Sequence, residues 1–270
     1  MITCDVKEMY FSQNSFSTYD FCSLKFRRRY IDGLYWPGSW VTDNEKREMV
    51  EQGQLFHLLA HRYYCGIAMG ELERYLTEPV SSWFKELQNF RPLTAGAVFL
   101  PEQELRCHQD GIRLVAKFDL LMVLPDGRAV IYDWKTALGR PKSQYYRQHI
   151  QTIVYRYLLV KAGGFLSPRG AFSPADISMI YWNPRYPRLV EPLAYSEDKY
   201  QRDADMIEKK IKEIESRDYD QFYATGDQKK CRHCEYSPIC HGRPMAADLS
   251  EEVEEELDID WDDIDEMLFE

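Results

Sequence analysis

The stretch LVAKFDLLMVLPDGRAVIYDWKTA, residues 114–137, decides how this chain folds. It holds two apolar, β-branched-rich runs separated by Pro125-Asp126-Gly127, a turn tripeptide. The spacing predicts strands over 111–124 and 128–135 that pair through that turn. Residues two apart in a strand face the same side, so Asp133 and Lys135 project together, and the turn brings Asp119 beside them. Two carboxylates and a lysine converging at one sheet end suit metal-assisted phosphodiester hydrolysis. Oxygen ligands hold magnesium or manganese, which offsets phosphate charge and acidifies a bound water, and a lysine orients that water or stabilises the charge that develops. The bland alternative, two surface residues at a strand end, fits these three residues alone equally well.

Working outward, residues 98–107 read as a further strand, joined through His108–Gly111, so 98–135 forms a three-stranded meander. A helix at 142–162 follows, closed by Gly163-Gly164, then strands at 177–183 and 188–195 and a charged helix at 197–217. Upstream, helices are expected at 15–32 (opened by Ser15 or Ser17), at 44–65, and at 71–90, where Arg91-Pro92 ends it. The class is α/β or α+β, with a mixed central sheet flanked by helices, and α/β is the class expected. The divisions are a single domain over 1–247 (core 44–196, flanks 12–32 and 218–243) and an acidic tail over 248–270, expected to be disordered.

Composition bounds the function. The 44% hydrophobic content supports a sizeable core, and no apolar run reaches the ~18 residues of a membrane span. The N-terminus lacks the layout of a signal peptide, so a cytoplasmic protein is expected. The net charge of −10 is a property of the tail: thirteen of the 44 acidic residues lie between Asp248 and Glu270, leaving 31 against 34 basic residues elsewhere. A slightly basic body is compatible with nucleic acid. The tail alternates acids with Leu257, Ile259, Trp261, Ile264, Leu268 and Phe269, a pattern of partner-docking segments. It is similar in character to the tails of single-stranded DNA-binding proteins. A DNA mimic lying in the basic channel and a plain solubilising tail are the other readings.

On the predicted helix after the third strand, Gln151 and Tyr155 are i,i+4 and share a face. There an amide and a phenol can hold a phosphate oxygen or position Lys135. On the helix before the sheet, Gly53 and His57 have G-x3-H spacing, and His57 could complete a metal shell. His61 adds H-x3-H spacing, but Leu58 replaces the glutamate of the H-E-x-x-H protease motif. Seven cysteines, an odd number without an export signal, argue against a disulfide framework. Cys4, Cys65 and Cys107 read as small hydrophobes. Cys231, Cys234 and Cys240 form C-x2-C-x5-C, and Cys22 is a distant fourth thiol. Such a set can hold zinc, with Cys22, His233 or His241 as fourth ligand, or a 4Fe–4S cluster on four cysteines. Either would clip the two chain ends together. Basic residues concentrate beside these cysteines: Lys25, Arg27, Arg28, Arg29, Lys229, Lys230 and Arg232 are candidate phosphate contacts. Tyr30, Trp36 and Trp40 could stack bases, although core packing is the plainer reading of each.

The ordered set G-x3-H, D, D-x-K, Q-x3-Y, flanked by C…C-x2-C-x5-C, resembles the RecB-type PD-(D/E)XK nucleases over roughly residues 12–243. Within them it resembles the Fe–S subgroup of the AddB nuclease domain and the CRISPR-adaptation exonucleases, whose first-cysteine helix is similar to SFSTYDFCSLKFRRRYIDGL. The resemblance implies a restriction-endonuclease-like fold and a Mg- or Mn-dependent deoxyribonuclease, an exonuclease on single-stranded ends. His57, Asp119, Asp133 and the Trp134 carbonyl would be metal ligands, Lys135 the catalytic lysine, and Gln151 and Tyr155 its supports facing DNA. Cys22, Cys231, Cys234 and Cys240 would hold 4Fe–4S. The implied setting is DNA repair, recombination or CRISPR adaptation. The tail's partner would then be a helicase, a CRISPR-adaptation integrase or single-stranded-DNA machinery. Three departures stand out: Asp133 replaces the commoner Glu, Ser23 follows Cys22 where Pro is frequent, and AKFD stands where G-x-x-D is usual. A catalytically idle DNA-binding or assembly subunit, with zinc in place of Fe–S, is the alternative. No helicase P-loop is present.

Overall fold

The computed structural model describes residues 5–34, 44–68, 70, 76–91, 93–140, 143–232 and 234–243. Cys4, Trp36, Trp40, residues 71–75, Pro92, His233 and the acidic tail lie outside them. In chain order the elements are α1 (Gln13–Phe21), α2 (Ser23–Phe26), α3 (Asn44–Tyr64), α4 (Val80–Phe90), β1 (Val98–Gln109), β2 (Ile112–Val123) and β3 (Ala129–Trp134). Then come α5 (Ser143–Tyr146), α6 (Ile150–Ala162), β4 (Ile177–Trp182), β5 (Leu193–Ala194), α7 (Glu197–Glu215), α8 (Gln228–Arg232) and α9 (Ser237–His241).

The strands form one sheet in the order β1-β2-β3-β4-β5. The meander β1-β2-β3 is antiparallel, β4 joins β3 in parallel, and β5 returns antiparallel. A parallel neighbour needs a crossover, and α6 supplies it between β3 and β4. The mixed sheet flanked by helices agrees with the expected α/β class.

Both faces of β2, β3 and β4 are covered, which is why those strands are apolar nearly throughout, whereas β1 carries mostly polar, half-exposed positions. On one face, Leu105, Phe118, Ile131 and Met179 pack beneath Val154 and Leu158 of α6 and Ile207 of α7. On the other, Leu120, Tyr132, Trp134 and Trp182 pack beneath Phe56 and Leu59 of α3 and Trp83 and Leu87 of α4. Trp134 and Trp182 are 1% and 0% exposed. Burying a tryptophan removes up to ~250 Å² from water, an upper bound of about 6 kcal/mol each. Trp134 therefore anchors the end of β3 and fixes its neighbours Asp133 and Lys135.

Four expected elements are shorter or broken, the helix expected over 71–90 beginning only at Val80 among the described residues. The helix expected over 15–32 is two helices interrupted at Cys22, whose backbone is extended (φ −166°, ψ 116°), and its cap is Ser12 in a capping box with Ser15. A five-residue π-helical turn, Arg27–Ile31, follows α2. The helix expected over 142–162 breaks before His149, and the Thr152 hydroxyl donates to the Tyr146 carbonyl across the break (2.6 Å). The strand expected over 188–195 shrinks to Leu193–Ala194, because Pro192 has no N–H for a ladder. Cys107 is buried as expected, but Cys65 is exposed.

Candidate active site

The sheet register fixes the geometry at the end of β3. Leu120 lies opposite Tyr132, so the chain continues past the ladder with Asp119 beside Trp134. The Trp134 N–H donates to Asp119 Oδ2 at 2.6 Å. From α3, anchored by Phe56 and Leu59, His57 Nδ1 comes within 3.5 Å of Asp119 Oδ1. Burial alone would raise the Asp119 carboxyl, but His57, the Trp134 N–H and Lys135 together hold it below its ordinary value. Asp119 is thus kept as a carboxylate.

Asp133 is 3% exposed and faces α6. Lys135 Nζ lies 3.0 Å from its Oδ1, and Gln151 Nε2 donates to its Oδ2 at 2.8 Å. The same Gln151 amide reaches the Tyr155 hydroxyl at 3.3 Å, as does Gln13 Nε2 of α1. Lys135 lies over the Tyr181 ring, 5.8 Å from its centroid, and its backbone N–H donates to the Trp182 carbonyl at 2.8 Å. Burial, with Asp133 nearby, pushes the Tyr181 phenol well up, so it stays protonated and hydrogen-bonds Thr152.

The structure therefore brings together His57, Asp119, Asp133, Lys135, Gln151 and Tyr155 as one connected set. Gln13 and Tyr181 were missed. Gln13 arrives from a segment 142 residues away in sequence, and Tyr181 sits in an apolar run that reads only as strand. His61 takes no part in the donor group described next.

One donor of that group was also missed. His57, Glu102 and Asp119 each offer a ligand atom, all within 4.8 Å of one another, whereas Asp133 is not in this group. An imidazole and two carboxylates are an apt donor set for Mg or Mn. Glu102 lies on β1, where the pairs Pro101↔Leu120 and Gln103↔Phe118 leave Glu102 opposite Asp119, outside the ladder. Its backbone is left-handed, φ +51°. The pleat changes phase here: Leu105, Cys107, Ala116 and Phe118 share a face with Leu121 and Val123, although a strict period of two would put 118 and 121 on opposite faces. Glu102 Oε2 pairs with Lys117 at 2.9 Å, with side-chain exposures of 28% and 43%. Such an exposed pair is worth about 0–1 kcal/mol, less than the ~1–3 kcal/mol that a left-handed non-glycine residue costs. No sequence signal marks Glu102, since it sits among Pro101, Gln103 and Glu104 in an ordinary surface-strand pattern.

The four predicted thiols also meet. Cys22, Cys231, Cys234 and Cys240 line one cleft. Burial raises the thiols of Cys231, Cys234 and Cys240, Cys234 being pushed up to about 12. The Thr225 N–H points at Cys22 Sγ (3.4 Å), and the Tyr223 carbonyl accepts from Leu24 N and Ser23 Oγ (3.0 and 2.9 Å). The predicted basic residues divide. Lys25 and Arg29 turn to the buried Glu235 (2.9 and 3.7 Å), and Arg27 faces Asp32 and the Tyr219 ring. Arg28 lies over Tyr236, while Lys229 and Arg232 are exposed and Lys230 is half-buried over Phe21.

Among solved structures the chain is similar to a "Putative exonuclease" from Eubacterium rectale, at 12% identity and TM-score 0.48 over 90% of this chain and 91% of that one. It is also similar to SSO0001, at 12% identity and TM-score 0.38 over 87% of each. No curated protein matches. The profile of the PD-(D/E)XK nuclease superfamily matches residues 10–241, spanning every site residue described above. This chain belongs to the PD-(D/E)XK nuclease superfamily.

Proposed function

We propose that the protein is a Mg- or Mn-dependent deoxyribonuclease acting as an exonuclease on single-stranded DNA ends. The observation that carries this is the buried Asp133–Lys135 pair set beside an ionised Asp119 and His57. His57 and Asp119 would hold the metal, together with Asp133 or another carboxylate. When bound, that ion would offset the phosphate charge and lower the pKa of a coordinated water. Lys135 supplies a fixed cation where negative charge develops, and Asp133 and the Tyr181 ring hold its ammonium in place. Gln151 fixes the second oxygen of Asp133, and Tyr155, gripped by Gln13, fixes Gln151. The basic body suits a polyanionic strand. Degradation of end-labelled single-stranded DNA in the presence of Mn tests the reading, with Lys135→Ala and Asp119→Ala expected to abolish it. Full activity in both variants would refute the assignment.

The cysteine cleft is proposed to hold a structural 4Fe–4S cluster. Four thiols lining one cleft supply the four ligands that such a cluster takes. Anaerobically purified protein should be brown, with iron and sulfide in equal amounts; colourless protein with one zinc would overturn this. The setting is proposed to be DNA repair, recombination or CRISPR adaptation. The acidic tail would dock a helicase, an integrase or single-stranded-DNA machinery. Truncation after Ala247 should abolish partner capture or alter DNA affinity, and no change in either would exclude a docking tail.

A further inference from the structure

We infer that a cavity beside Lys135 receives the phosphorylated terminal nucleotide of a single DNA strand, Arg140 and Arg188 taking the phosphate and Tyr146 facing the base. This deepens the nuclease reading, on which it rests, by naming the part of the substrate that is recognised. The cavity has a volume of about 420 Å³, and its walls include Arg140, Tyr146, Tyr181, Arg188, Leu189 and Leu193. That volume falls within the ~300–1,000 Å³ of small-molecule sites. Its place follows from the sheet. β3 and β4 are parallel, so the chain leaves both at the same end, where ligands of such sheets gather. The loop after β3 carries Arg140, and the loop after β4 carries Arg188. Three hydrogen bonds brace one loop on the other. The Asn183 amide donates to the Ala137 carbonyl (2.9 Å), Arg185 Nε to the Thr136 carbonyl (3.0 Å) and the Tyr186 hydroxyl to the Leu138 carbonyl (2.7 Å). A cavity framed in this way is already formed before a ligand arrives, so little ordering opposes binding.

Tyr181 joins the cavity to the reaction centre. Its ring lies 5.8 Å from the Lys135 ammonium and stacks on Tyr146, with centroids 4.0 Å apart and planes 12° from parallel. A strand end held against Tyr146 is therefore two rings away from the lysine. Charge names the ligand. Glu191, an acid in the cavity wall, pairs with Arg147. Arg140 and Arg188 are exposed, and among the described residues neither has a carboxylate partner. Two guanidiniums without acids suit a phosphate, which they can grip through paired N–H groups. A terminal phosphate carries a charge of about −1.5 to −2 at neutral pH, more than a linkage inside the strand, so it gains more from them. The tyrosine ring and the leucines supply the apolar wall on which any base can stack, whatever its identity.

The test is fluorescence anisotropy of the full-length protein with internally labelled oligothymidylates that carry a 5′-phosphate, a 3′-phosphate or hydroxyls at both ends. EDTA is present, so that no metal-dependent cleavage consumes the strand. Wild type should bind at least one phosphorylated form about tenfold more tightly than the hydroxyl form, as charge-assisted hydrogen bonds allow, and the preferred end gives the polarity. In R140Q/R188Q the ratio should fall to about one, because the charge that distinguishes the ends is gone. An abasic sugar at the preferred end should weaken binding about tenfold. A wild-type ratio near one, a ratio that survives in R140Q/R188Q, or an abasic end bound as tightly as the intact one would overturn the inference. Mn-dependent degradation of the hydroxyl-ended strand by wild type is measured alongside. Degradation without an end preference overturns the inference alone, an end preference without degradation overturns the nuclease reading, and the absence of both overturns both.

Discussion

Removing the Lys135 charge should destabilise the protein more than removing the whole Asp133–Lys135 pair. The two side chains are 5% and 4% exposed and meet at 3.0 Å, so each offsets the cost of burying the other. Lys135→Met keeps the alkyl stem and leaves Asp133 buried without its cation, the Gln151 amide still donating to it. Breaking one side of a buried pair in this way costs about 3–5 kcal/mol. The double variant D133N/K135M removes both charges and leaves an amide that can still accept from Gln151. Its cost should fall to about 1–2 kcal/mol, roughly 2–3 kcal/mol less than that of K135M alone. Urea unfolding in EDTA at neutral pH, followed by far-UV circular dichroism, reads all four corners of this cycle. If K135M unfolds within 1 kcal/mol of wild type, or the double variant is less stable than K135M, the pair is not the buried unit described and Lys135 is not held by Asp133. Nuclease activity should fall at least ~100-fold in K135M and the double variant alike. Stability and catalysis would thereby separate.

Asp119 makes a second prediction, in acid. Its carboxyl is held below the ordinary value, so its contribution is present above the unfolded-state value near 3.9 and is lost as pH falls through the lower folded one. D119N should therefore show a shallower loss of urea midpoint than wild type below about pH 4; an identical acid limb in both would contradict the shift. At the other end of the scale, Cys234 is raised to about 12, so metal-free protein should lose stability as pH rises from about 9 towards 12. Cys234→Ser should flatten that alkaline limb, and the cluster-loaded protein, its thiols already ionised, should not show it. Glu235→Ala would leave Lys25 and Arg29 facing each other without the carboxylate between them. It should cost about 2–4 kcal/mol. Chemical denaturation measures that loss, and a change under 0.5 kcal/mol would show the two cations to be solvated instead.

Local signals carried most of the fold. The Pro125-Asp126-Gly127 turn, the apolar runs on either side of it and the D-x-K spacing marked β2 and β3 and set Asp133 beside Lys135. Gln151 and Tyr155 were legible because i,i+4 spacing on a helix is itself geometry. What escaped depends on chain paths that no local window contains. The extended backbone at Cys22 interrupts what reads as one helix because the 223–225 segment supplies competing partners about 200 residues away. Glu102 was invisible because a pleat phase change is produced by two strands acting together, and neither strand alone shows it. Lys25 and Arg29 read as a basic patch because the buried Glu235 that neutralises them lies at the far end of the chain.

The seam between the two chain ends has a consequence for biosynthesis. Ser23 and Leu24 bond to Tyr223, and the Tyr236 hydroxyl donates to the Leu34 carbonyl, 199 to 202 residues away in sequence. At ~5–20 residues per second, the ribosome adds those partners roughly 10–40 seconds after α1 and α2 emerge. For that interval Phe16, Tyr19 and Phe26, all destined for the core, have no finished surface to cover them. The first thirty residues should therefore be the segment most dependent on chaperone shielding during translation. Because the seam is closed by hydrogen bonds and aromatic contacts of the polypeptide itself, the ends can meet without a cofactor, and the proposed cluster would then be inserted last.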